Sequence, residues 1–330
     1  MGLRTHCLLG MTWLALICGC SRIGFQDQSS DPLAEATAGN GNGNGNGNGN
    51  GNGNIGSGNG NNNGNGTILA SSIPVSKIYW AEQCAIKRAN LDGSGVETLL
   101  TSGVDHPDSL VLDLPDNKMY WTDDGNNTIR RANLDGTQAE ILAESPLATD
   151  PHGLVLDKTT DSLYWGDHTQ DRIQWIPLSD LYMLNAYTCF GTDDDDVMAM
   201  VLDPSTRMMY FLTNCLKALH GFDMDTVFKQ MNLRTQLVDP VGLAVDVVSG
   251  YLYYSERGKI SRCRLDGASP ETLISSSGRQ NGIALDLVSG KMYWTDSTAK
   301  RIKRANLDGT LIEDVLTTGE NAQGIALDLR

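Results

Sequence analysis

The chain has 330 residues, 40% of them hydrophobic, with 36 glycines against 10 prolines and a formal charge of −15 at pH 7. That length suffices for one large all-β domain plus a further segment, and the glycine excess points to a low-complexity stretch beside a globular one. Such acidity repels phosphate backbones and anionic headgroups. It excludes nucleic acid and anionic lipid as main partners and favours calcium, cationic ligands or basic protein surfaces.

At the start, Arg4 precedes a mostly apolar stretch from Cys7 to Ile17, too short for a stable membrane span and suited to an export signal. The stretch ends Leu16-Ile17-Cys18-Gly19-Cys20-Ser21, which resembles a bacterial lipobox. The resemblance implies a lipoprotein signal peptide over residues 1–19, with the Cys20 thiol acylated at the mature N-terminus; the alternative is an ordinary cleaved signal with an incidental cysteine. Residues 20–76 follow as a tether, and from Gly39 to Gly66 they mainly alternate Gly and Asn. Such a segment buries no apolar surface and cannot offset the entropy of ordering. A Gly-rich coil of this length has an end-to-end distance of roughly 40 Å. The two arginines of residues 1–76, Arg4 and Arg22, stand against Asp27, Asp31 and Glu35, so nearly all the negative charge falls on the remainder.

From residue 77 the chain is repetitive. Tyr79-Trp80, Tyr120-Trp121, Tyr164-Trp165, Tyr210-Phe211, Tyr253-Tyr254 and Tyr293-Trp294 recur at steps of 41, 44, 46, 43 and 40 residues, a period of repeat architectures. A second series, Asp113, Asp157, Asp203, Asp246, Asp286 and Asp328, ends short apolar runs such as Gly282-Ile283-Ala284-Leu285, the pattern of a strand buried on both faces. A turn leads to the Tyr strand. An alternating third segment such as Arg301 to Leu307 then stops at Asp308-Gly309, and a short fourth strand completes the unit. Four antiparallel strands per unit make one propeller blade. The first unit lacks a Leu-Asp strand, whereas Gly324-Ile325-Ala326-Leu327-Asp328 is such a strand with no Tyr-Trp after it. The expectation is an all-β, six-bladed β-propeller over residues 77–330, made of four-stranded antiparallel blades, its ring closed by the C-terminal strand joining blade one.

The units resemble the YWTD, or low-density-lipoprotein receptor class B, repeats of six-bladed propellers. Tyr120-Trp121-Thr122-Asp123, Tyr293-Trp294-Thr295-Asp296 and the phrase Ile129-Arg130-Arg131-Ala132-Asn133-Leu134-Asp135-Gly136 carry the likeness. Unit three replaces the Asp-Gly turn by Ser179-Asp180, and unit four, Tyr210-Phe211-Leu212-Thr213, diverges most. The resemblance implies scaffold roles: rings wedged between blades, and acids at Asp123, Asp296, Asp167, Glu82 and Glu256 that satisfy backbone donors, with Thr213 departing. It also implies protein recognition or rigid domain packing rather than catalysis.

Function is therefore sought in the loops, where the units vary. Five residues before each inner-strand Asp stand Asp108, His152, Met198, Val241, Asn281 and Gln323, expected to ring the channel mouth on the top face. Each is followed by a small residue, which crowding of inner strands near the axis explains. Glu82, Asp124, His168 and Arg257 join them as candidate ligand contacts, although solvated loop tips are the plain alternative for each. Calcium needs six to eight oxygens, and Glu82, Asp108 and Asn281 are the candidates for it. This is the basis of a second reading, a calcium-dependent lactonase-like hydrolase; a third is a purely structural envelope module. No catalytic residue and no dedicated metal site are assigned, and Asp193 to Asp196 read as a solvated acidic tip. Among the cysteines, Cys263 stands where other units have Ala and reads as a buried thiol, while Cys189 and Cys215 form the candidate disulfide.

Together these observations imply a monomeric, non-catalytic binding module on a bacterial cell envelope, attached to the membrane through its lipid anchor only. It recognises a protein or peptide, with a basic one favoured, and needs no cofactor unless calcium serves.

Overall fold

The computed structural model describes residues 75–330, apart from 182–184, 189–195 and 227–229. The signal peptide, Cys20 and all but the last two residues of the tether lie outside the described residues. Among those described, no helix is long and apolar enough to cross a membrane.

The strands are β1 (Lys77–Glu82), β2 (Ala85–Asn90), β3 (Glu97–Leu100), β4 (Pro107–Asp113), β5 (Lys118–Asp123), β6 (Thr128–Asn133), β7 (Glu140–Glu144) and β8 (Pro151–Asp157). They continue with β9 (Ser162–Asp167), β10 (Arg172–Pro177), β11 (Asn185–Thr188), β12 (Val197–Asp203), β13 (Met208–Thr213), β14 (Ala218–Asp223) and β15 (Gln230–Arg234). Last come β16 (Leu243–Asp246), β17 (Tyr251–Arg264), β18 (Glu271–Asp286), β19 (Lys291–Asp296), β20 (Arg301–Asn306), β21 (Glu313–Thr317) and β22 (Ala322–Asp328). Four sheets have four strands each, ordered β22-β1-β2-β3, β4-β5-β6-β7, β11-β10-β9-β8 and β12-β13-β14-β15.

The expectation of six separate four-stranded blades is corrected here. The chain forms an all-β propeller of five hydrogen-bonded sheets, because everything from β16 to β21 belongs to one six-stranded sheet. Proline, which removes a ladder donor, stands at the entry to β4, β8 and β16 as Pro107, Pro151 and Pro240. None stands in Ser275-Ser276-Ser277-Gly278-Arg279, where β18 runs unbroken and Arg257 pairs with Arg279, although β22 begins separately without one. The C-terminal strand β22 pairs antiparallel with β1, from Lys77 opposite Asp328 to Glu82 opposite Ala322.

Neighbouring residues of a strand point to opposite faces, so each Tyr-Trp dipeptide faces two neighbours. Tyr79 shares a buried cluster with Trp121, Tyr120 with Trp165, Tyr164 with Phe211, Tyr210 with Tyr254, Tyr253 with Trp294, and Tyr293 with Trp80. The dipeptide is thus the glue between units. The second series serves the turns instead. Asp157, Asp246 and Asp286 accept from the backbone N–H of Thr159, Val248 and Val288 at 2.8, 3.0 and 3.1 Å, which caps the turn after each inner strand. In the Asp-Gly turns, Gly136 takes φ +83°, and a Cβ there would lie 2.6 Å from the Leu99 carbonyl oxygen.

Candidate functional site

A cavity of about 290 Å³ lies between the inner strands β4, β8, β12, β16, β18 and β22, and Asp108, Met198, Val241, Asn281 and Gln323 line it. His152 joins this group through Asp108, whose Oδ2 is 3.2 Å from His152 Nδ1. Crowding accounts for the small residues that follow. A Cβ on Gly153 would sit 2.7 Å from Ala199 Cα, one on Gly324 would sit 2.6 Å from the Asp108 carbonyl oxygen, and one on Gly242 would overlap the Asn281 carbonyl.

One side of this region is acidic and histidine-bearing. His152, at the start of β8, presents Nδ1 to Asp108 and Nε2 to Asp150 Oδ1 at 3.4 Å. His168, just after β9, repeats the arrangement: its Nδ1 lies against the Asp196 carboxylate, and its Nε2 is 3.9 Å from Asp150 Oδ2. The two rings meet edge to face with centroids 6.3 Å apart. Burial works to lower the His152 pKa, but hydrogen bonds and charge from Asp108 and Asp150 outweigh it and hold the imidazole well above its usual value. The hydrogen bond to Asp196 raises His168. Burial, with the nearby Asp108 charge, pushes Asp124 up to about 7. Asp124 Oδ1 is buried with no hydrogen-bond partner among the described residues. No Lys or Arg among them forms an ion pair with Asp108, Asp124 or Asp150, although other carboxylates in the domain are so paired.

A second cluster is basic. Burial and then the neighbouring Arg257 charge lower the Arg279 pKa, and Asp239 and Asp108 act in the opposite direction. Arg257 is paired with Asp239 at 2.7 Å, whereas Arg279 has no ion pair among the described residues. Asp239 also holds Lys217 at 3.1 Å.

Glu82 is the clear correction among the candidate contacts. It is buried, with Oε1 accepting from Trp80 Nε1 at 2.8 Å and Gly319 N at 3.2 Å and Oε2 from Lys87 Nζ at 2.7 Å. It belongs to the scaffold and does not converge with Asp108 and Asn281, so that calcium set is not assembled. Asn281 is also largely structural: its side-chain amide donates to Ala322 O and Gln323 Oε1 at 3.0 and 2.7 Å. Asp123 accepts from Asp105 N and Asn126 N at 2.9 and 3.0 Å, Asp167 from Thr149 N at 2.8 Å, Glu256 from Val238 N at 2.8 Å, and Asp296 from Ala299 N at 2.9 Å. Where the acid is absent its partner changes as well: Thr213 Oγ1 meets His220 Nε2 at 2.9 Å, in the register where other units place Lys87, Arg130 or Lys303. Cys263 is a buried thiol, pushed up to about 11 by burial. Cys189 lies outside the described residues; the Cys215 thiol is 3.6 Å from Asp196 Oδ2.

The reading of the sequence missed Asp150, Asp196 and Arg279. A signal for Asp150 was available, since Asp150-Pro151-His152 places a carboxylate at a strand-breaking proline two residues before a candidate. Asp196 was visible only as part of an acidic run. Arg279 carried no mark, because its place follows from the unbroken β18.

Sheets, repeats and central cavity together define an all-β propeller whose repeats are similar to the YWTD type. The family model of the low-density lipoprotein receptor repeat class B matches residues 76–114 and 290–329. Among curated proteins, the human low-density lipoprotein receptor-related protein 5-like protein is 26% identical over 56% of this chain and 56% of its own length. Human low-density lipoprotein receptor-related protein 5 is 29% identical over 70% of this chain, a match that spans 15% of the relative. The chain thus aligns with only part of each. Among solved structures, a chain of a nidogen/laminin complex superposes with a TM-score of 0.67 at 18% identity, covering 77% of this chain and 98% of that one. A streptogramin B lyase follows at 0.58, with 18% identity, 75% of this chain and 82% of that one covered. At these identities the structural matches show the fold alone.

Proposed function

We propose that this protein is a non-catalytic binding module that captures a protein or peptide segment at the top face of its propeller. The observation that carries the reading is a central cavity lined by Asp108, together with a half-buried guanidinium at Arg279 that lies within the influence of the Asp108 charge and has no ion pair among the described residues. A buried charge without a partner is costly, and a ligand of complementary charge relieves that cost. The ligand therefore carries an acidic group for Arg279 and the neighbouring Arg257. This refines the expectation of a simply basic peptide. The receptor-related relatives support a protein partner.

The same reading places the module outside the cytoplasm, with residues 1–19 as export signal, Cys20 as bacterial lipidation site, 20–76 as tether and 77–330 as a monomeric binding domain that needs no cofactor for capture. It is supported by the lipobox-like Leu16 to Cys20 and the Gly/Asn run. A fatty-acid label lost in Cys20→Ser tests the anchor. The ligand reading is tested by selecting displayed peptides on the full-length protein and on Arg257→Gln/Arg279→Gln. Wild type should enrich acidic-group-bearing peptides that the variant releases; equal enrichment on both, or none on wild type, refutes it.

A further inference from the structure

We propose that Asp124, Asp150, His152 and His168 form a binding site for a zinc-class divalent cation at the edge of the top face. The assignment does not depend on peptide capture. One ligand atom each from Asp124, Asp150 and His152 lie within 4.8 Å of one another. Zinc bound by nitrogen and oxygen at about 2.0–2.2 Å in a tetrahedron draws its ligands to roughly 3.5 Å apart, so small side-chain rotations close the set. His168 Nε2, 3.9 Å from the far oxygen of Asp150, is positioned as the fourth donor.

Three features point to a metal rather than to a chance acidic patch. Each histidine presents Nδ1 to a carboxylate, His152 to Asp108 and His168 to Asp196, and turns Nε2 towards Asp150. That is the second-layer arrangement which selects the tautomer and orientation of metal-bound imidazoles. The buried Asp124 Oδ1 lacks a hydrogen-bond donor, as an oxygen reserved for a cation would. No lysine or arginine among the described residues pairs with Asp124 or Asp150, so the local negative charge is left to the histidines. Two imidazoles with two carboxylates suit zinc and its neighbours in the first transition row, whereas calcium prefers six to eight oxygens.

The test is calorimetric titration of the full-length, metal-stripped protein with Zn²⁺ and, separately, with Ca²⁺. Thermal melts should accompany wild type, His152→Gln, His168→Gln and Asp124→Asn. One Zn²⁺ per chain should bind at this site, more tightly than Ca²⁺, and raise the melting temperature, with each variant losing at least tenfold in affinity. Asp108→Asn, which leaves the donor atoms in place, should lose about 10- to 100-fold. If a histidine variant fails to fold, Asp124→Asn decides, because its residue is only partly buried and the change is nearly isosteric. Absence of Zn²⁺ binding, or binding unchanged in Asp124→Asn and in whichever histidine variants fold, overturns the assignment. The second outcome would place zinc elsewhere, at His6 or the N-terminal cysteines.

Discussion

Replacing Glu82 by alanine separates scaffold from ligand most directly. The side chain removed is buried and accepts three hydrogen bonds, from Trp80 Nε1, Gly319 N and Lys87 Nζ. Without it, the Trp80 indole N–H loses its acceptor in the core. Gly319 N loses the contact that ties the approach to β22 against β1. Lys87 is partly solvated and recovers most of its loss in water. An unsatisfied buried donor costs about 1–3 kcal/mol, so two such donors, with the small void left, set the expected destabilisation at about 3–5 kcal/mol. Glu82→Gln keeps one acceptor oxygen and the volume while losing the ion pair, and should cost about 1–2 kcal/mol. Equilibrium urea denaturation followed by tryptophan fluorescence reads both, since Trp80 itself reports. A loss under about 1 kcal/mol for Glu82→Ala, accompanied by lost ligand capture, would refute the scaffold assignment and return Glu82 to the binding surface.

Glycine positions offer a paired contrast. Gly242→Ala pushes a methyl into the Asn281 carbonyl and should prevent folding or lower stability by several kcal/mol. Gly250→Ala, with φ +74° and nothing within 4 Å, should cost only about 1 kcal/mol; yield and melting temperature check both. His220, buried against Thr213 and Asn232, has its pKa lowered from 6.5 by burial. Its folded value lies below the unfolded one, so its contribution is fully present above about pH 6.5 and is lost as pH falls through the depressed value. Stability measured against pH should fall less steeply over that range in His220→Gln. Cys263, in the core with its pKa near 11, should resist alkylation in the native protein at neutral pH and react only on unfolding. Rapid native labelling at that position would contradict its placement.

Much of the scaffold was legible in the chain. Strand spans follow from short apolar runs and alternating segments, turns from Asp-Gly dipeptides whose glycines carry positive φ, and the paired recurrence of rings and acids from the need of each unit to bury itself against the next. The number of separate sheets was not legible. Whether β18 breaks or continues turns on Ser275 to Arg279, where the absence of proline permits a ladder without requiring one. The site was readable in part. The residue five before each inner-strand Asp was found from register, because a repeat places equivalent positions at equivalent heights. Glu82 was read both as a scaffold acid and as a ligand contact, because the same acid position can face the core or solvent.

The resemblance to the YWTD repeats implied the inter-unit role of Tyr-Trp, and the sequence by itself determined a repeating all-β scaffold and an acidic domain. These rest on short-range periodicity and on composition, both written along the chain. Only the tertiary structure decided that five sheets form, that Glu82 is locked to Trp80 and Lys87, and that Asp124, Asp150, His152 and His168 meet beside one another while Arg279 has no ion pair among the described residues. The meeting of the four site residues depends on distances between residues far apart in the chain. Such distances are set by how the units pack, not by any local pattern.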